Sequence, residues 1–187
     1  MRSFVLFIVL LAAARVAHAT VPTMDCVFND GMEGELTGAP AAWRAPTAAQ
    51  NCARKTVVPA PATAIPLLHW NTSLASVAQT YANRCVYAHN PATPGGENIA
   101  ASAGVPAGTA LDAALDWIGE GAQYNYAANT CSGTCGHYTQ VVWRSSTQIG
   151  CGAAHCTTGS PFGATFPTWD FFVCDYTPAG NNGARPY

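Results

Sequence analysis

The sequence predicts an α+β fold in which helices pack on a small antiparallel sheet and disulfides hold the layers together. Apolar residues in the first half recur at helical spacing, whereas later segments are rich in aromatic and β-branched residues. The eight cysteines are an even number, which favours disulfides in an exported chain. At 187 residues the chain fits one domain.

The amino terminus predicts a secretory signal peptide over residues 1–19. It combines Arg2, an apolar run from Phe4 to Ala14 and the small-residue pattern at 17–19. That run is too short to span a bilayer, and no second membrane segment follows. Loss of its two arginines would move the formal net charge from −2 to −4, so no basic excess or basic cluster remains for tracking a nucleic-acid backbone. We expect an amino-terminal arm over 20–46 and a single domain over 47–187.

Three helices are expected in chain order. Pro46 suits the first turn of a helix that runs to about Val57, and the proline-rich stretch 58–66 ends it. A third helix starts at the capping box Thr109-x-x-Asp112 and ends near Tyr124.

The second helix has the clearest pattern. Its cap is Asn71 or Thr72, and it runs to about Cys85. Its core stripe follows the i, i+3, i+4 period: Leu74, Val77, Ala78, Tyr81, Ala82 and Cys85. Asn71-Thr-Ser is also an N-glycosylation acceptor if the source is eukaryotic.

Strands are expected late in the chain. Residues 168–176 have the aromatic and β-branched content of a strand, and 147–156 is its expected partner. Residues 137–143 fit either an alternating strand or a short helix, because seven residues do not separate the two periods.

The spacing of the cysteines favours disulfides over metal ligands. No Cys-x-x-Cys pair occurs, and zinc ribbons and thioredoxin-like sites both need one. Eight cysteines allow 105 pairings, so spacing alone leaves the connectivity open.

Two of the histidines stand near carboxylates. We expect His69 and His155 to be satisfied by packing, as a polar residue between apolar neighbours usually is. Four other residues could form a divalent-cation site: His89, His137, Glu97 and Glu120. Signature motifs of zinc proteases, serine hydrolases and nucleotide-binding loops are absent.

Several segments together resemble the CAP superfamily, which includes cysteine-rich secretory proteins, antigen 5 and plant pathogenesis-related proteins. CGHYTQVVWRSSTQIGCG (135–152) and FFVCDYTPAGN (171–181) are similar to its two hallmark motifs. Shorter matches occur in the family's order: AQNCAR (49–54), HN (89–90), GENIA (96–100), DWIGEGAQYNY (116–126) and the tail GNNGARPY. The resemblance covers roughly residues 47–187.

The resemblance implies a three-layer α-β-α sandwich with a short helix over HYTQVV. It also implies a cavity tetrad of two histidines and two glutamates: His89, Glu97, Glu120 and His137. In metal-binding relatives the two imidazoles hold zinc or a similar divalent cation, and the glutamates act mostly through water. Neutral imidazole is the ligand form, so binding should weaken below about pH 6.5.

The same resemblance implies three disulfides: Cys85–Cys156, Cys131–Cys135 and Cys151–Cys174. It leaves Cys26–Cys52 as a hypothesis for the remaining pair. Gln50 stands where many relatives have histidine, so the packing of the first helix is expected to differ there.

The function that the resemblance implies is that of a secreted, non-enzymatic binder of a sterol, a fatty acid or another apolar ligand, with a role in defence or host–microbe interaction. One alternative is a metal-assisted hydrolase with Glu97 or Glu120 as base. Another is a structural exported protein that retains the tetrad as a buried polar cluster. The expected location is extracellular, or periplasmic if the source is bacterial.

Overall fold

A computed structural model describes residues 36–104 and 108–187. The predicted signal peptide at 1–19, the first part of the predicted arm and Cys26 lie outside the described residues. None of the helices in the described ranges is both long enough and apolar enough to cross a bilayer.

The described helices are α1 (Ala41–Lys55), α2 (Thr72–Ala82), α3 (Ala110–Gly119) and α4 (Gly136–Val141). Two 3₁₀ turns cover Glu120–Gln123 and Gly163–Thr165. The strands are β1 (His69–Trp70), β2 (Gly96–Ser102), β3 (Tyr124–Asn125), β4 (Thr130–Cys131), β5 (Gln148–Cys156) and β6 (Trp169–Thr177).

The main sheet has the strand order β1-β5-β6-β2. Its three long strands are antiparallel, and β5 and β6 are the two segments that the sequence predicts as partners, which confirms that prediction. The two-residue β1 joins β5 in parallel, so the sheet is mixed at one edge. β3 and β4 form a separate hairpin.

Helices cover both faces of the sheet, which confirms the α-β-α sandwich. Strand β6 shows the division, because successive side chains of a strand point to opposite faces. Phe172 and Tyr176 belong to the core shared with α1, α3 and α4, whereas Phe171 and Val173 belong to the core shared with α2.

Two glycines of β5 let α2 lie directly on the sheet. A Cβ atom at Gly150 would lie 2.1 Å from the backbone nitrogen of Ala75, and one at Gly152 would lie 2.3 Å from Cα of Gln79. No other residue type fits between the strand and the helix backbone. The two glycines of the Gly-Cys-Gly segment in the first hallmark motif are therefore needed for the close packing of α2 on β5.

The helix boundaries correct three sequence predictions. α1 begins at Ala41, with Pro46 inside it, because the burial of Trp43 in the main core favours an earlier start. α3 does begin with the predicted capping box but ends at Gly119, where the chain tightens into the 3₁₀ turn. α2 ends at Ala82, so Cys85 lies beyond it.

Three disulfides join described cysteines, in the pairing that the resemblance implies: Cys85–Cys156, Cys131–Cys135 and Cys151–Cys174. Cys151 and Cys174 are also direct partners in the register of β5 and β6. Cys52 is disulfide-bonded, and the expected Cys26–Cys52 bond falls outside the described residues. Such bonds fit an extracellular protein.

Candidate functional site

The first histidine–glutamate pair lies where the loop after α2 meets strand β2. Nδ1 of His89 lies 2.8 Å from Oε1 of Glu97, and the backbone N–H of Asn90 donates to the same oxygen at 2.9 Å. The His89 side chain is 63% exposed, while that of Glu97 is only 2% exposed. The buried carboxylate therefore anchors an imidazole that faces solvent.

The second pair joins the turn after α3 to the start of α4. Nδ1 of His137 lies 2.6 Å from Oε1 of Glu120, and the backbone N–H groups of His137 and Tyr138 donate to Oε2 at 3.0 and 3.2 Å. Glu120 thus satisfies the first free N–H groups of α4 and orients the imidazole with the same carboxylate. The Cys131–Cys135 disulfide closes the loop just before this helix.

The two pairs flank strand β2. Glu97 lies on the face of β2 that carries Ile99 and meets α2, whereas the next residue, Asn98, donates to the backbone carbonyl of His137 at 3.1 Å. In both pairs a carboxylate holds Nδ1, and neither Nε2 makes a hydrogen bond within the described chain.

A carboxylate backing a histidine is the arrangement that orients imidazole toward a metal. Each Nε2 could therefore act as a ligand, and the donor chemistry suits zinc. Within the two described ranges, however, no three His, Cys, Asp or Glu side chains group closely enough to hold a metal ion. The described residues therefore offer at most the two imidazoles as direct protein ligands.

Sequence reasoning did not identify a third carboxylate next to this site. Asp175 is fully buried in β6 and is the direct register partner of Glu97 in β2. Its Oδ1 accepts from the hydroxyl of Thr93 at 2.8 Å, while its Oδ2 and the Oε2 of Glu97 are buried without a partner among the described residues. Burial raises the pKa of Asp175 to about 6, and the charge of Glu97 adds to that rise. The only sequence signal was a charged residue inside an apolar strand.

A fully buried arginine holds the segments around α4 in place. Arg54 of α1 is 1% exposed and donates to four backbone carbonyls, those of Pro66, Val141, Trp143 and Ser146, at 2.6 to 3.0 Å. Burial lowers its pKa to about 10, which still leaves the group cationic at neutral pH. Sequence analysis found Arg54 only as part of a motif.

Gln50 shows what replaces the expected histidine of α1. Its Oε1 accepts from the hydroxyl of Tyr176 at 2.7 Å, and its Nε2 is buried without a partner in the described chain. The same hydroxyl accepts a hydrogen bond from Asn98 at 3.3 Å, so α1 is linked through Tyr176 to the strand beside the histidine–glutamate pairs.

The other two histidines and the predicted helix cap lie outside the histidine–glutamate pairs. His69 and His155 are both exposed, so the prediction that packing satisfies them is wrong. Each sits near an end of a strand, and Nδ1 of His155 lies 2.9 Å from Oδ1 of Asp170. Asn71 caps α2 by accepting from Ser73 and Leu74.

An open groove of about 640 Å³ lies beside the hairpin β3–β4. Val58 and Pro59 form part of its wall, and Tyr124 and Tyr126 line it from the hairpin side. None of its lining residues is charged. Its volume falls in the range of about 300–1,000 Å³ that is typical of small-molecule sites.

Comparisons with known proteins agree with this architecture. The family model described as "Cysteine-rich secretory protein family" (CAP) matches residues 42–176. Pathogenesis-related leaf protein 4 of Solanum lycopersicum is 45% identical over 127 residues, which are 64% of this chain and 71% of that protein. The basic form of pathogenesis-related protein 1 of Nicotiana tabacum is 39% identical over 145 residues, 73% of this chain and 71% of that protein.

A solved structure shares the fold. Schistosoma mansoni venom allergen-like protein 4 superposes with a TM-score of 0.56 and 32% sequence identity, covering 74% of this chain and 83% of that one. The two hallmark segments provide α4, the first part of β5 and most of β6, and they contain three of the six cysteines in the described disulfides. The chain belongs to the CAP family of cysteine-rich secretory proteins.

Proposed function

We propose that this CAP protein is an exported, non-enzymatic binder of an apolar small molecule, a sterol or a fatty acid, and that it acts in defence. The defence role is supported by relatives that are named pathogenesis-related proteins. Export is supported by the signal-peptide pattern of residues 1–19 and by the disulfides. The observation that carries the binding proposal is the uncharged groove beside the β3–β4 hairpin.

The groove offers an apolar wall together with polar groups at its edge. Val58 is 48% exposed there, a large value for a branched aliphatic side chain. Gln123 and Ser132 also line the groove and supply hydrogen-bonding groups. An apolar body with one hydroxyl or carboxyl group matches this distribution, because its polar end can bond while its body covers Val58 and Pro59.

The first test is native mass spectrometry of the mature, disulfide-intact protein, followed by titration with the fluorescent sterol dehydroergosterol and with palmitate. Val58→Asp places a charge on the groove wall without removing a buried side chain. We expect it to weaken the binding of at least one probe by about tenfold or more, since a charge facing apolar surface costs at least about 1.4 kcal/mol.

Val86→Asp is the matched control, because Val86 is also 48% exposed but does not line the groove. Equal loss in both variants would show a general surface effect and refute the placement of the ligand. Failure of both probes to bind the wild-type protein would refute the apolar-ligand proposal itself.

We also propose a weak divalent-cation site at the Nε2 atoms of His89 and His137, supported by their carboxylate-held Nδ1 atoms. Zinc titration by calorimetry at pH 7.5 should show one site that His137→Ala abolishes and that Glu97→Gln weakens. Zinc uptake unchanged in His137→Ala would refute this placement. A hydrolytic zinc site usually has three protein ligands, and no observation in the described ranges supplies the third.

A further inference from the structure

A second cavity, of about 300 Å³, lies on the side of α2 that faces away from the sheet. Residues of successive α2 turns line it, and Asn90 and Ala92 of the following loop complete it. It shares no lining residue with the uncharged groove or with the histidine–glutamate pairs. Val77, which the sequence predicts in the core, lines this cavity instead and is only half-buried.

Hydrogen bonds build this cavity before any ligand arrives. The hydroxyl of Tyr81 donates to the carbonyl of Ala88 at 2.9 Å and so ties the loop to α2. The backbone N–H of Asn90 donates to Glu97 at 2.9 Å, and the side-chain Oδ1 of Asn90 accepts from the backbone of Ala92 at 3.0 Å. Two hydrogen bonds therefore tie the loop to α2 and β2 and a third lies within the loop, so the cavity needs little rearrangement to bind.

Two nitrogen-bearing side chains in the cavity, Arg84 and Asn90, keep free donors. The guanidinium of Arg84 lies 5.5 Å from the centre of the Tyr81 ring and makes no hydrogen bond or ion pair within the described chain. Stacking on a ring leaves the in-plane N–H groups of an arginine available. The Asn90 side chain is held through Oδ1, so its Nδ2 remains free, although the residue is only 8% exposed. The hydroxyl of Thr80, by contrast, is already used by the carbonyl of Ser76.

No carboxylate lines the cavity to compete for these donors. Glu97, which the loop contacts, has its Oε1 engaged by Asn90 and His89, and its side chain is 2% exposed. Val77, Ala92 and the ring of Tyr81 supply the apolar part of the wall. Arginine and amide donors over an apolar wall match a planar carboxylate on a short apolar body.

We infer that this cavity binds a small organic carboxylate, with Arg84 and Asn90 holding the carboxylate and Val77 and Tyr81 covering the apolar body. The inference is independent of the proposed apolar-ligand groove, so either can fail alone.

The test is an NMR titration of the ¹⁵N-labelled mature protein at pH 7 with benzoate, with benzyl alcohol as the neutral match and inorganic phosphate as the anion without an apolar body. Benzoate should shift the amide signals of residues 76–84 and 90–92. Arg84→Gln should weaken benzoate at least about tenfold, the loss expected for a charge-assisted hydrogen-bond pair. Asn90→Asp keeps the Oδ1 cap but removes the donor and adds a negative charge, so it should weaken benzoate at least as much.

Arg44→Gln removes an exposed cation outside the cavity and should leave benzoate binding unchanged. The inference is overturned if Arg84→Gln and Arg44→Gln behave alike, or if benzoate shifts other parts of the protein. It is also overturned if benzyl alcohol or phosphate binds as tightly as benzoate, or if benzoate does not bind.

Discussion

The buried Asp175 predicts that neutralising one carboxylate makes the protein more stable. In the substitution Asp175→Asn, Oδ1 can still accept from the Thr93 hydroxyl, and the new Nδ2 can donate toward the unpartnered Oε2 of Glu97. The variant therefore removes a buried charge while it keeps the shape of the side chain and adds a donor where one is missing.

The size of the effect follows from the pKa of Asp175, which burial raises from 3.8 to about 6. The folded state binds this proton more tightly than the unfolded state, so unfolding releases it. The stabilising contribution is fully present below about pH 4 and is lost as the pH rises through about 6. Two pKa units correspond to about 2–3 kcal/mol. Asp175→Asn should recover up to that amount at pH 7.5 and close to nothing at pH 3.5.

The assay is urea unfolding of wild type and variant with disulfides intact, followed by tryptophan fluorescence, at pH 3.5 and 7.5. Asp170→Asn is the control, because Asp170 lies in the same strand but pairs with the exposed His155. An equal stability difference at both pH values, or a less stable Asp175→Asn variant at pH 7.5, would refute the reasoning.

Three further pairs of substitutions test the packing and the site. Gly152→Ala should destabilise by more than about 2 kcal/mol, because its Cβ would meet the backbone of α2, whereas Gly119→Ala, with open space around it, should be neutral or slightly stabilising; thermal melts distinguish the two. Arg54→Met should lower the free energy of unfolding by more than about 3 kcal/mol, because buried carbonyls lose a charged donor. Arg44→Met, at an exposed position, should lower it by less than about 0.5 kcal/mol, and comparable urea midpoints for the two variants would contradict this. Glu120→Gln should lower the free energy of unfolding by about 1 kcal/mol and Glu120→Ala by more than about 2 kcal/mol, because the charge-assisted hydrogen bonds to α4 are weakened in the first variant and removed in the second. Hydrogen exchange of the backbone amides of residues 137–138 measures this loss directly.

Features that depend on residues adjacent in the sequence were predicted correctly. The capping box at Thr109 and Asp112 and the strand content of 168–176 need only a few adjacent residues to be recognised. The ambiguous segment after Cys135 needed more than its own pattern, because Glu120, 17 residues away, caps the helix that forms there.

Non-local register explains most of what sequence reasoning missed. Nothing near Asp175 in the sequence shows that Glu97 lies opposite, since that pairing depends on how β2 and β6 align. The same holds for Arg54, whose acceptors come from two distant segments. His155 was assigned to packing because its neighbours are small or apolar, but it lies one residue before the end of β5, where its side chain is exposed.

The disulfide between Cys85 and Cys156 also determines whether cleavage by a protease separates the chain into two fragments. It joins residues 71 positions apart, and β2, α3, α4 and most of β5 lie between them. A single cut anywhere in that interval leaves both pieces covalently attached. A nicked molecule would migrate as one band until a reductant is added, and its two halves would stay at high local concentration. One cleavage by an extracellular protease in this interval would therefore leave the two fragments joined as a single covalent molecule.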